Sequence, residues 1–358
     1  MMTVSFPYFD RISKSILLLC VLMITSELPL KAQTFVPACV GFYNVENLFD
    51  TLDTPGIRDS DFTPEGTYKW TSERYMKKLD DLAKVIGEMG TEVHPDGVAV
   101  LGLAEIENRE VVEDLINTPP LKERGYDIVH YDSPDRRGVD VGLIYQPKHY
   151  QVYHHKSYTL EVEDKPNFYT RDQLVVSGVL DGDTVHVLVA HWPSRRGGEK
   201  RSLPLRMAAA ELGRSIVDSL LNLNPMARII YTGDLNDDPV SPSVRRGLRG
   251  VGRKEHARKG KLFNPMEELF NKGIGTLAWR DTWNLFDQML ISEALVTGEG
   301  GRYRYYGARV FNKPYLRQAE GNFAGYPFRT YVGPNYQGGY SDHFPVYLIF
   351  VREAESNP

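Results

Sequence analysis

The stretch LVVSGVLDGDTVHVLVAHW, residues 174–192, decides the fold. Two runs rich in β-branched residues, 174–180 and 184–192, flank Asp181-Gly182-Asp183. Runs of this kind read as strands, and a short Asp-Gly connection reads as a hairpin turn. The pair is therefore antiparallel, and at least one sheet is not purely parallel. Further strands are expected at 38–45 (ACVGFYNV), 97–106 (GVAVLGLAEI), 139–146, 227–235 (ARIIYTGDL), 285–292 and 344–351. Apolar residues at helical spacing predict helices over 72–89, 108–117 and 204–221. Strands mixed with helices argue an α/β class, and two sheets with helices outside suit the mixture. Residues 239–279 and 298–339 are rich in Gly and Arg, with Lys in the first and Tyr in the second; both read as long loops. The tyrosines of 303–340 are assigned to loop packing.

Composition sets the outer limits. The chain has 358 residues, 42% hydrophobic and 25% charged, with a formal net charge of −5. No global basic field points to nucleic acid or an anionic membrane. At the N-terminus, Arg11 and Lys14 precede the apolar run ILLLCVLMI (16–24), which leads to Lys31-Ala32-Gln33. This pattern reads as a secretory signal peptide over 1–33, followed by one catalytic domain over 34–358. The run falls short of the about 20 apolar residues that a membrane span needs. Cys20 lacks the small residues that precede a lipid-modified cysteine, so no lipid anchor is expected. A secreted or periplasmic protein with the single remaining Cys39 forms no internal disulfide. We expect a monomer.

Polar residues gather where the expected strands end. Asn44 and Glu46 close the first, Glu105 the second, and His191 the run 184–192. Asp234 and Asn236 follow the next, Asp287 lies in 285–292, and Asp342-His343 precede the last. Ligands of α/β sheets collect at strand ends. Carboxylate oxygens suit a hard cation such as Mg²⁺, and Asn donates to phosphate oxygens without titrating. No Cys/His spacing supports Zn²⁺. Taken singly, each has an ordinary reading: Glu105 a helix cap, Asp234-Leu235-Asn236 an Asx turn, His191 a core histidine. Their joint order carries the signal.

That order resembles the endonuclease/exonuclease/phosphatase superfamily. The matching pieces are FYNVENL (42–48), LAEIEN (103–108), RRGVDVGLIY (136–145), AHWPSR (190–195), YTGDLND (231–237), LFDQMLIS (285–292) and YSDHFPVY (340–347). The resemblance implies a four-layer α/β sandwich of two mixed β-sheets packed face to face with helices outside. It implies metal ligation by Glu105, Asn44, Glu46 and Asp342. It implies catalytic roles for His191, Asp234, Asn236, Asp287 and His343. Asp234 would prepare the attacking water, and Asp287 would orient His343.

The expected activity is Mg²⁺-dependent phosphoester hydrolysis, with Mn²⁺ as a substitute. Its expected form is a secreted endonuclease acting on DNA or RNA. The alternatives are a phosphatase or phospholipase C-type hydrolase on small or lipid head-group phosphates, and an inactive phosphate-binding module. Two basic stretches motivate the nucleic-acid reading. One runs from Arg195-Arg196 to Lys200-Arg201, and the other from Arg245 to Lys261 with Arg246 and Arg249. Arg195, Arg245, Arg246 and Arg249 are the expected backbone contacts.

Overall fold

Strands buried on both faces read as nearly continuous apolar runs, and the two sheets are built from such runs. The computed structural model describes residues 34–354. The signal peptide read over 1–33 lies outside them. Contact density separates a body, Val36–Arg352, from the chain ends. At those ends the Ala354 N–H donates to the Thr34 carbonyl at 2.8 Å.

Chain order gives β1 (Phe35–Leu48), helix α1 (Ser72–Glu88), β2 (Val100–Ile106), α2 (Arg109–Asn117), β3 (Asp127–His130) and β4 (Asp140–Tyr145). Then come β5 (Tyr150–Tyr158), β6 (Gln173–Leu180), β7 (Asp183–His191), α3 (Glu199–Leu223) and β8 (Arg228–Asp234). Short strands β9 (Gly250–Val251) and β10 (Leu262–Phe263) precede the hairpin β11 (Leu277–Trp279) and β12 (Thr282–Asn284). The chain continues through β13 (Asp287–Ile291), β14 (Arg304–Val310), β15 (Tyr331–Val332), β16 (Asn335–Tyr336) and β17 (Val346–Glu353).

The first sheet has the order β14-β17-β1-β2-β4-β3, and the second β5-β6-β7-β8-β13-β10-β9. Each is mixed: β1 runs parallel to β2 and β7 parallel to β8, while β2–β4 and β8–β13 are antiparallel. Phe42, Val100 and Leu143 of the first sheet meet Val176, Val187, Ile230 and Met289 of the second in one buried cluster. Leu79, Leu82 and Ile86 of α1 and Val112 of α2 cover the outer face of the first sheet. Ala210, Ile216 and Val217 of α3 cover the second. The result is the expected four-layer sandwich.

The β6–β7 hairpin forms as read, with Leu180 paired to Asp183. Its two turn residues, Asp181 and Gly182, have φ of 44° and 95°. Positive φ at both positions matches the twist of the flanking strands. Two readings need correction. Residues 304–310 form an edge strand against β17 inside the segment read as a loop. Within 239–279, a helical turn at Ser243–Gly247, β9, β10 and a short helix at Met266–Asn271 replace the expected structureless loop. Their elements are too short for periodicity to reveal.

Candidate active site

Strand register places the site. His191, the last residue of β7, pairs with Asp234, the last of β8. Asp234 also pairs with Asp287, the first residue of β13. Three polar residues thus stand abreast at one end of the second sheet. Gly233 permits this close approach: a Cβ there would lie 2.0 Å from the Ala190 carbonyl oxygen. In the first sheet, Asn44 pairs with Ala104, one residue before Glu105. Pairing shifts between Ala104 and Ile106, and Glu105 has φ of 63°. A bulge of this kind re-aims a side chain. Helix α2 takes its N-cap from Asn108, whose side chain accepts from the Val111 N–H, so Glu105 is not needed as a cap.

Hydrogen bonds join the two sheets at this end. Asn44 Nδ2 donates to Asp234 Oδ2 at 3.1 Å, and the Glu46 N–H donates to Asn44 Oδ1 at 3.0 Å. The Asn47 N–H donates to Glu105 Oε2 at 3.1 Å. The Asn236 N–H donates to Asp234 Oδ1 at 2.9 Å, and Asn236 Nδ2 donates to the Trp192 carbonyl at 3.0 Å. His343 Nδ1 lies 2.7 Å from Asp287 Oδ2. Ser341 Oγ donates to the Asn44 carbonyl and accepts from the His343 N–H, which ties the last loop to β1. His191 Nε2 sits 3.4 Å from Asp234 Oδ2 and 3.9 Å from Glu105 Oε1.

Burial and charge set the protonation. Burial drives the Asp234 carboxyl up; His343 opposes this, Asp287 and Glu105 reinforce it, and the result is about 7. Burial works against a charged His343, but Asp287, Asp234 and Asp342 outweigh it and hold the ring well above the ordinary histidine range. Burial, with Arg171, Arg137 and His343 adding to it, holds His191 well below that range. The site therefore keeps one charged and one neutral imidazole. His191 Nδ1 is buried without a hydrogen-bond partner among the described residues.

Glu105, His191, Asp234, Asn236 and His343 line one cavity of about 510 Å³. Asn44 and Asp287 support it from behind through Asp234 and His343. Glu46 and Asp342 do not line it. Glu46 Oε2 instead accepts the Thr330 N–H at 2.7 Å, beside the buried Lys78, whose ammonium donates to Thr330 Oγ1 and the Tyr340 carbonyl. Burial raises Glu46 to about 7, with Asp342 adding and Lys78 opposing. Asp342 lies 3.4 Å from Arg329 Nη2 and 3.9 Å from His343 Nε2.

Arg195, Arg245, Arg246 and Arg249 do not line this cavity. Arg195 turns under the loop after β8, where Asp237, Asp238 and the Asn236 carbonyl take its guanidinium. Arg245 pairs with Glu267 at 2.8 Å and Arg249 approaches Asp218 at 3.8 Å. These two and the exposed Arg246 are absent from the cavity wall. Arg196 and Arg201 of the first basic stretch do line it, together with Arg137, Lys165 and Arg171. Sequence reading singled out none of these last three. Arg137 sits in the RRGVDVGLIY match, which was its only signal.

The residues fit a hard divalent cation. The cavity brings Glu105 near Asp234, and the Glu105 charge raises the cost of charging Asp234; a cation on Glu105 would relieve that repulsion. Oxygen donors, without cysteine, suit Mg²⁺ or Mn²⁺.

Residues 39–352 match the profile of the Endonuclease/Exonuclease/phosphatase family. No curated protein matches the chain by sequence. Among solved structures, a Bacteroides thetaiotaomicron endonuclease/exonuclease/phosphatase family protein is 16% identical, with a TM-score of 0.53 over 91% of this chain and 99% of that one. A mannosyl-6-phosphatase from the same organism is 16% identical, with a TM-score of 0.52 over 87% and 99%. D. rerio TDP2, humanized by 14 mutations, is 12% identical, with a TM-score of 0.51 over 88% and 98%. At these identities the likeness is one of fold.

Proposed function

Because the chain belongs to the endonuclease/exonuclease/phosphatase family, we propose that it hydrolyses phosphate esters in the 510 Å³ cavity with a divalent cation held on Glu105. Its finer form is a phosphatase or phosphodiesterase of compact substrates. One observation supports this choice: the catalytic candidates and a cationic wall line the same open cavity. Arg245, Arg246 and Arg249, which motivated a long nucleic-acid track, do not reach it.

The bound cation would neutralise phosphoryl charge as a Lewis acid. Asn44 fixes Asp234 Oδ2, and Asp234 takes the proton of the attacking water. Its raised proton affinity suits a general base near neutral pH. Asp287 keeps His343 charged, so Nε2 donates toward a phosphoryl oxygen. Neutral His191 and the amide of Asn236 add fixed polar groups around the same space, where preorganised donors stabilise developing charge. No covalent nucleophile is required.

The test is a substrate series assayed with Mg²⁺: bis-p-nitrophenyl phosphate, p-nitrophenyl phosphate, sugar phosphates and plasmid DNA. Turnover of the small esters without DNA cleavage supports this reading. Plasmid cleavage with no small-ester turnover restores the endonuclease reading.

A further inference from the structure

The cavity lining combines two chemically different sets of residues. Glu105, Asp234 and His343 form one, and Glu105 and Asp234 are the cavity's two acidic groups. Arg137, Lys165, Arg171, Arg196 and Arg201 line the same open cavity with five cations. Two of the five are committed to protein partners. Arg171 is buried, with Nη1 on Asp135 and Nη2 on the Trp192 carbonyl; its Nε is buried without a partner among the described residues. Arg137 lies 3.4 Å from Asp135. Lys165, Arg196 and Arg201 are exposed at the cavity wall.

A single phosphoryl group does not call for this surplus. The charged His343 and a cation on Glu105 already face it. We infer that Lys165, Arg196 and Arg201 hold a second anionic group of the substrate, a second phosphate, while the scissile phosphate sits at Glu105, Asp234 and His343. This inference rests on the phosphoesterase reading above. Three elements supply the wall: the segment before β6, the loop after β7 and the first turn of α3. Cations drawn from separate segments can surround a phosphate, and Arg adds paired donors to its oxygens. The second phosphate has two possible sources, a small bisphosphate or the next backbone position of a nucleotide chain.

Calorimetric binding to the full chain with Mg²⁺ tests this, using glucose 1,6-bisphosphate, glucose 6-phosphate, the dinucleotide pTpT and thymidine 5′-monophosphate. The wild type should bind glucose 1,6-bisphosphate at least about tenfold more tightly than glucose 6-phosphate, since a charged hydrogen bond commonly supplies that much. The variant Lys165→Ala/Arg196→Ala/Arg201→Ala should lose that preference and keep its affinity for glucose 6-phosphate within about threefold, because one charged hydrogen bond is worth more than that. The same loss seen with pTpT alone assigns the second phosphate to a nucleotide chain. Equal affinity of the wild type for one phosphate and two, with glucose and with thymidine derivatives, overturns the inference. So does an equal loss for every ligand in the variant. Charge reversal at one position, Arg201→Glu, repeats the test should the triple variant fold poorly. Binding is read apart from turnover, so failure of the hydrolytic reading leaves a distinct result: selective binding without hydrolysis.

Discussion

His343 Nδ1 lies 2.7 Å from Asp287 Oδ2, and Asp287 stands directly across the β8–β13 pairing from Asp234. Two carboxylates thus approach one imidazole from the same sheet. Asp287 is fully buried, and its other oxygen has no partner among the described residues. Its negative charge is directed at the histidine.

The variant Asp287→Asn keeps the shape and removes that charge. His343 carries a raised proton affinity, so its charged form persists at neutral pH and is lost as pH rises through that elevated value. Asparagine lowers the value. The alkaline limb of the kcat profile should move to lower pH, by about one unit or more for a tenfold change in proton affinity. A pH–rate series on both proteins checks this; superimposable profiles would remove Asp287 from the role.

We predict metal dependence from the Glu105 carboxylate on the cavity wall. Excess EDTA should abolish turnover, and Mg²⁺ or Mn²⁺ should restore it without Zn²⁺. Full turnover in excess EDTA would contradict metal assistance.

Arg206 offers a test of how the site loop is held. It is fully buried in α3, with Nε 2.7 Å from Asp237, the residue after Asn236. Asp237 also receives Ser243 Oγ–H and Arg195. Removing one member of a buried ion pair costs up to about 3–5 kcal/mol, an upper figure here because Arg195 still faces Asp237. Arg206→Met should lower the urea midpoint accordingly. An unchanged midpoint would show that Arg195 and Ser243 suffice for Asp237.

Much of this arrangement is legible in the sequence. The long apolar strands announced both sheets, because strands buried on two faces leave little ambiguity. Asn44, Glu105, His191, Asp234 and His343 stood out because each ends or borders such a strand. Edge strands were harder to see. The strand Tyr150–Tyr158 reads YQVYHHKSY, with much of its surface exposed, and Arg304–Val310 carries a glycine at its centre. Of the two basic stretches, the first sends Arg196 and Arg201 to the cavity and the second lies off its wall. Proximity in sequence to Asp234 does not fix direction, and the turn at Ser243–Gly247 packs on α3, where a Cβ on Gly247 would lie 2.6 Å from the Ala210 Cβ. Lys165 and Arg171 belong to no motif; only the folded chain brings them to the cavity.

The N-terminal segment carries its own prediction. From the charged start, the short apolar run and Ala32 we predict a processed N-terminus near Gln33 or Thr34. Intact-mass measurement of the protein from its native source checks this, and retention of Met1 in the exported pool would contradict it.

The most direct measurement compares Asp234→Asn with the wild type on bis-p-nitrophenyl phosphate in Mg²⁺. Asparagine preserves size and burial but cannot accept the proton of the attacking water at the same position. The expected result is a fall in kcat of about a hundredfold or more, as loss of a general base typically gives, with an unchanged melting temperature. Equal turnover by the two folded proteins would contradict hydrolysis at this site.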